Sequence, residues 1–128
     1  DFIPLEPVTH PGRKPVFADI DDTFVMDLAH VESLITPRTV GIIGVHLYGL
    51  PIDNDKLLAI AKKNNLWVIE DCAQAQGAKY KGKTVGSMGD FGCFSFYPTK
   101  NLGAFGEGGM VTTNSDAGIE SIQMMRDW

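Results

Sequence analysis

The chain has 128 residues, 44% of them apolar and 21% charged, which suits one globular domain and excludes a disordered tail. Sixteen acidic against eleven basic residues give a formal net charge of -5, and the lysines and arginines are scattered, so a nucleic-acid partner is not expected. No apolar run approaches the roughly 20 residues of a membrane span, and the opening DFIPLEPVTH has neither the basic start nor the apolar centre of a signal peptide, so the expected setting is the cytoplasm.

Residues 15–20 (PVFADI) are short, apolar and partly β-branched, and read as a buried strand. Asp27 is placed to cap a helix over 28–35, where Leu28, Val31, Leu34 and Ile35 fall at helical spacing and Pro37 ends the run. Residues 39–47 (TVGIIGVHL) form a continuous apolar stretch of strand length. Asp53 or Asn54 opens a second helix through Asn65, and 66–69 is a strand that runs straight into Glu70 and Asp71. Around a Lys-Gly turn, 79–85 alternates as a small surface hairpin would. Residues 91–96 (FGCFSF) form the next strand, followed by a Gly-rich loop over 101–109, a strand over 110–113 and a last helix capped by Asn114 or Ser115. Strands apolar along their whole length, joined by amphipathic helices, predict an α/β fold of three layers, with a mostly parallel sheet and helices on both faces. The ends of the chain read as those of a piece of something longer.

In such sheets ligands bind where strands deliver their carboxyl ends. Three places qualify: Asp71; the group Ser95, Thr99 and Lys100; and the group Asp19, Asp21 and Thr23. A carboxylate at a buried strand end needs a positive partner, and a pyridinium nitrogen is one. A desolvated lysine after a neighbouring strand can condense with an aldehyde. Asp71 and Lys100 are therefore the pair that pyridoxal phosphate demands, an anion for its ring nitrogen and an amine for its aldehyde. On spacing alone the plainer reading, Asp71 capping a turn and Lys100 solvated in a loop, is the favoured one. Cys72 and Cys93 read as small apolar residues in strand-like contexts, and His10, His30 and His46 make no metal-ligand set, so no metal is expected. His46 and Tyr97 read as structural. The Gly-rich stretch is not a phosphate-binding P-loop, because its lysine precedes the glycines.

The segments EDCAQAQGA (70–78), VGSMGDFGCFSFYPTKN (85–101) and GEGG (106–109) closely resemble the DegT/DnrJ/EryC1/StrS family of sugar aminotransferases, a fold type I group that uses pyridoxal 5'-phosphate. PVFADID, ITPRT, VHLYGLPID and AKKNNLWVIEDCAQA follow the family's order of elements, so the resemblance covers nearly the whole chain. It implies that residues 1–128 are part of a cofactor-binding large domain, without the preceding segment and the small domain that follows. It implies an internal aldimine at Lys100, which also shuttles the proton, with Asp71 facing the ring nitrogen. Gln74 would lie near the ring and its phenolic oxygen, and Ser95 would hydrogen-bond the cofactor phosphate; the alternatives are a purely local backbone partner for Gln74 and a plain strand residue at Ser95. Asn101 and residues 103–109 would shape the loop for close approach to the cofactor. The implied reaction transfers an amino group, typically from glutamate, to a keto group of a nucleotide-linked sugar. A homo-oligomer is expected, and the piece alone is expected to bind the cofactor weakly and to catalyse little. The ending Met125-Arg126-Asp127-Trp128 resembles the related 3-dehydrase branch, but that branch has His where this chain has Lys100, which favours the aminotransferase.

Two other readings remain. The chain could be a non-catalytic relic or binding module of the same fold. Alternatively, VFADIDDT resembles the nucleophile strand of haloacid dehalogenase-like phosphatases, with Asp19 as nucleophile, Asp21 as general acid and bridging magnesium, although the downstream lysine and acids of that chemistry are not suitably placed.

Overall fold

The structure, a computed structural model, describes residues 12–126. Among the described residues six strands and three helices follow in order: α1 (Leu28–Leu34), β1 (Gly41–Val45), α2 (Asn54–Asn64), β2 (Trp67–Asp71), β3 (Lys79–Tyr80), β4 (Lys83–Thr84), β5 (Phe91–Ser95), β6 (Gly109–Thr112) and α3 (Asp116–Arg126). A 3-10 turn, Leu47–Gly49, follows β1.

Local chemistry sets the helix limits. The Asp27 side chain accepts from the amides of Ala29 and His30 and starts α1; Asp53 accepts from the Lys56 amide and starts α2. Asn65 ends α2 in the left-handed region (φ 53°, ψ 49°), with Lys62 and Lys63 in the last turn where the helix dipole favours them.

The sheet order is β1-β2-β5-β6. β1 and β5 flank β2 in parallel, while β6 pairs with β5 antiparallel as an edge strand. One-residue alternation divides the sheet's two faces. Ile42 and Val68 belong to the main buried cluster with Leu28 and Val31 of α1 and Leu57, Ile60 and Ala61 of α2. Phe91 faces the other way with Ile69, which is its register partner. There α3 approaches closely, since a methyl on Gly118 would lie 3.1 Å from Phe91 Cε1. Thus α1 and α2 pack on one face of the sheet and α3 touches the other. The antiparallel hairpin β3–β4 stands apart from the sheet and is held to the start of α2 by the Tyr80 hydroxyl, which donates to Asp53 at 2.6 Å.

The expected strand over residues 15–20 does not form. The segment makes one isolated bridge, Ile20 with Met26, and Val16 and Phe17 are exposed. Its backbone is committed to α1 instead of the sheet: the Asp19 amide donates to His30 Nδ1 at 2.9 Å, and the Asp27 amide donates to the Asp19 carbonyl at 2.9 Å. Among the described residues no helix is long and apolar enough to cross a membrane.

Candidate active site at the carboxyl ends of the strands

The parallel strands β1, β2 and β5 deliver their carboxyl ends to one edge of the sheet. Asp71, last in β2, pairs with Cys93, and Ser95 ends β5 two residues later on the same face. The Asp71 carboxylate accepts from the Ala73 amide through Oδ1 at 3.0 Å, which tightens the turn after β2 and leaves Oδ2 available to a ligand. Ser95 Oγ accepts from the Tyr97 amide at 3.3 Å, so the hydroxyl hydrogen stays available to donate. The Gln76 side chain links the two strand ends, donating to the carbonyls of Ala73 and Ser95 at 3.1 and 2.9 Å.

A cleft of about 350 Å³ opens beside these strand ends, lined by Tyr48, Gln74, Thr99, Lys100 and Asn101. It brings Gln74 and Lys100 together. Asp71 and Ser95 lie outside that lining, three residues before Gln74 and five before Lys100. Lys100 is half-buried in a turn closed by its amide on the Tyr97 carbonyl at 2.9 Å. The Tyr48 amide donates to Gln74 Oε1 at 3.0 Å, so the NH₂ of Gln74 remains to donate to a ligand acceptor. The cleft thus carries an amine and a carboxamide on its wall, with a carboxylate and a hydroxyl at the neighbouring strand tips.

Beneath the cleft lies a polar centre unassigned in the sequence reading. Glu70 points to the opposite face from Asp71 and is 1% exposed. Its Oε2 accepts from His46 Nε2 at 3.0 Å and from the Gly86 amide at 2.9 Å, and its Oε1 from the amides of Met88 and Gly89 at 2.8 and 2.7 Å. His46 Nδ1 accepts from the Ile52 amide at 3.2 Å, so the ring's hydrogen sits on Nε2. Burial would raise the Glu70 pKa, but His46 and the amides of Gly89, Gly86 and Met88 outweigh it and hold the group at about 2. His46, Glu70 and Cys72 place ligand-type atoms within 4.8 Å of one another; the Glu70 carboxylate accepts from four donors there, and burial pushes the Cys72 thiol up to about 12. Both cysteines are free.

The Asp19 and Asp21 pair has no strand end to stand on. Asp21 accepts from the Thr23 amide at 2.8 Å and from the Thr23 hydroxyl, a local turn that lowers its pKa chiefly through the hydroxyl bond. The phosphatase arrangement needs these two acids at the tip of a buried strand, and residues 15–20 form none.

A sheet with parallel strands delivering an acid, a hydroxyl, a carboxamide and a lysine to one edge defines the class, a fold type I aminotransferase domain. The chain belongs to the DegT/DnrJ/EryC1/StrS aminotransferase family, whose model matches residues 4–128. Over 116 residues it is 59% identical to the UDP-N-acetyl-3-dehydro-alpha-D-glucosamine 3-aminotransferase of Acidithiobacillus ferrooxidans, covering 90% of this chain and 31% of that protein. It is 47% identical to the dTDP-3-amino-3,4,6-trideoxy-alpha-D-glucose transaminase of Micromonospora megalomicea subsp. nigra, covering 90% and 31%. Among solved structures, DesV of S. venezuelae in complex with a ketimine intermediate matches with a TM-score of 0.95 at 41% identity, covering 100% of this chain and 35% of that one. The chain spans about a third of the length of the curated relatives it matches.

Proposed function

We propose that residues 1–128 are part of the cofactor-binding large domain of an aminotransferase that uses pyridoxal 5'-phosphate to move an amino group, with glutamate as donor, onto a keto carbon of a nucleotide-linked sugar. The observation that carries this reading is the cleft that Gln74 and Lys100 share at the ends of β2 and β5, next to Asp71 and Ser95. The sugar aminotransferase names of the relatives support the substrate class.

Each group suits one part of the cofactor. Asp71 Oδ2 would hold the ring N–H, and its negative charge would keep that nitrogen protonated. The Gln74 NH₂ would donate to the phenolic oxygen and the Ser95 hydroxyl to the phosphate. Lys100 would anchor the aldehyde carbon through Nζ and carry the proton there. When bound, pyridoxal phosphate supplies an electron sink. Because water exclusion and phosphate contacts are incomplete in a third of the relatives' length, the isolated chain should bind the cofactor weakly and turn over little. Phe105 and Leu102 of the Gly-rich loop are exposed apolar side chains, which fits association with a second copy.

Incubation with pyridoxal phosphate, reduction with borohydride and peptide mass spectrometry tests the reading. The cofactor mass should appear on Lys100 and vanish in Lys100→Ala. A label on another lysine, or one that persists in the variant, sinks it.

A further inference from the structure

We propose that the ring of Tyr48 is a specificity-determining contact for the sugar of the nucleotide-linked substrate; this rests on the function proposed above. Tyr48 sits on the cleft wall with Lys100 and Gln74, yet it is 83% exposed. Its backbone is left-handed (φ 53°, ψ 25°), a region disfavoured for a residue carrying a large side chain and comfortable for glycine or asparagine. The surroundings impose that conformation. His46, just before the turn, is locked on three sides: its amide donates to the Asp71 carbonyl at 3.0 Å, Nδ1 accepts from Ile52 and Nε2 donates to Glu70. The amides of Gly49 and Leu50 close back on His46 and Leu47 at 3.3 and 2.9 Å, and the Tyr48 amide is held by Gln74.

An aromatic side chain at this position therefore opposes the backbone preference and gains little burial within this chain. Strain retained at a cleft wall, without packing to compensate, points to a ligand. Strand order says which one. Across the mouth the order is β1, β2, β5, and the groups assigned to the cofactor lie on β2, on β5 and in the loops after them. Tyr48 follows β1, one strand beyond the groups assigned to the cofactor and on the wall of the same cleft. A hexose presents C–H faces that pack on an aromatic ring, and the phenol offers a polar tip.

The test uses the full-length chain loaded with pyridoxal phosphate, with UDP-N-acetyl-3-dehydro-alpha-D-glucosamine as probe and glutamate as donor. Tyr48→Ala should raise KM for the sugar roughly tenfold, with the loss falling on that KM and not on kcat, on the KM for glutamate or on the cofactor's absorbance. Tyr48→Phe, which keeps the ring, should stay within about threefold of wild type. Tyr48→Gly should melt at or above the wild-type temperature, because the strain is relieved. An unchanged sugar KM in Tyr48→Ala beside an active wild type overturns the inference and leaves the functional reading standing. A Tyr48→Phe as poor as Tyr48→Ala overturns the assignment to the ring, and a wild type that turns over neither this probe nor a dTDP- or GDP-linked keto sugar overturns both.

Discussion

His46 Nε2 donates to Glu70 Oε2 at 3.0 Å in full burial, and the next residue, Asp71, ends β2. This pair ties the end of β1 to the end of β2. Through the amides of Gly86, Met88 and Gly89 it also gathers the loop that precedes β5. The scaffold of the cleft is therefore ionic at its base even though the surrounding core is apolar.

The Glu70 carboxyl is held at about 2 against an ordinary value of 4.5. A depressed folded-state pKa contributes stability that is complete above the unfolded value and is lost as pH falls through the folded one. Glu70 should contribute about 3 kcal/mol at neutral pH, disappearing between roughly pH 4.5 and 2. Glu70→Gln, whose NH₂ would face amide donors, should already be less stable by about 2–4 kcal/mol at pH 7 and lose less on acidification. Urea unfolding of both proteins at pH 7, 4 and 3 checks this; parallel losses in the two would contradict it.

Gly86 joins three demands at one residue. Its φ is 81°, its amide donates to Glu70, and a Cβ there would lie 2.6 Å from Phe94 Cζ and 3.1 Å from Cys72 Sγ. Gly86→Ala should cost about 1–3 kcal/mol, from left-handed backbone strain and overpacking together. A melting temperature equal to wild type would show that the loop relaxes freely.

Cys72 is fully buried, and burial together with the Glu70 and Asp71 charges keeps its thiol protonated up to about 12. It should resist a disulfide reagent at pH 8 in the folded protein and react at once in denaturant. Cys93, half-buried and also shifted upward, chiefly by burial, should react slowly. Mass spectrometry of the labelled cysteines distinguishes them, and rapid native labelling of Cys72 would refute the packing around Val85 and Ala75.

Asp71→Asn keeps an oxygen for the Ala73 amide and removes the charge. Folding stability should change by less than about 0.5 kcal/mol, while retention of pyridoxal phosphate, read by equilibrium dialysis against the full-length chain, should fall by about tenfold or more. Unaltered retention would remove Asp71 from the site.

Much of the fold is legible in the sequence because local signals agree with it. The Asp27 cap, a helix opening at Asp53 or Asn54 and the 79–85 hairpin each announce themselves within a few residues, and the strands around Ile42, Val68 and Cys93 are apolar enough to be read as buried. Residues 15–20 carry the same apolar signal and do not pair, because their backbone bonds go to His30 and Asp27, partners that composition cannot reveal. Of the candidate site, Lys100 and Gln74 line the same cleft. Glu70 and Tyr48 went unread as parts of the site. An acid inside an apolar strand beside Asp71 was a signal for the first, since such a charge requires donors; for Tyr48 the signal is conformational and exists only in the folded backbone.

The adjacent acids Glu70 and Asp71 also make the register of β2 unforgiving. Side chains alternate with period two, so deleting one residue before Glu70 would turn the inner acid outward and send the outer one into the donors of the 86–89 loop. Asp71 would then take the place of Glu70, Glu70 would fall at the position of Ile69, and Cys72 would stand at the strand tip. Among the described loops, the exposed tip at Lys81 and Gly82 can vary in length at small cost, whereas a frame shift of one position inside this strand inverts the molecule's division between what holds it together and what it offers to a ligand.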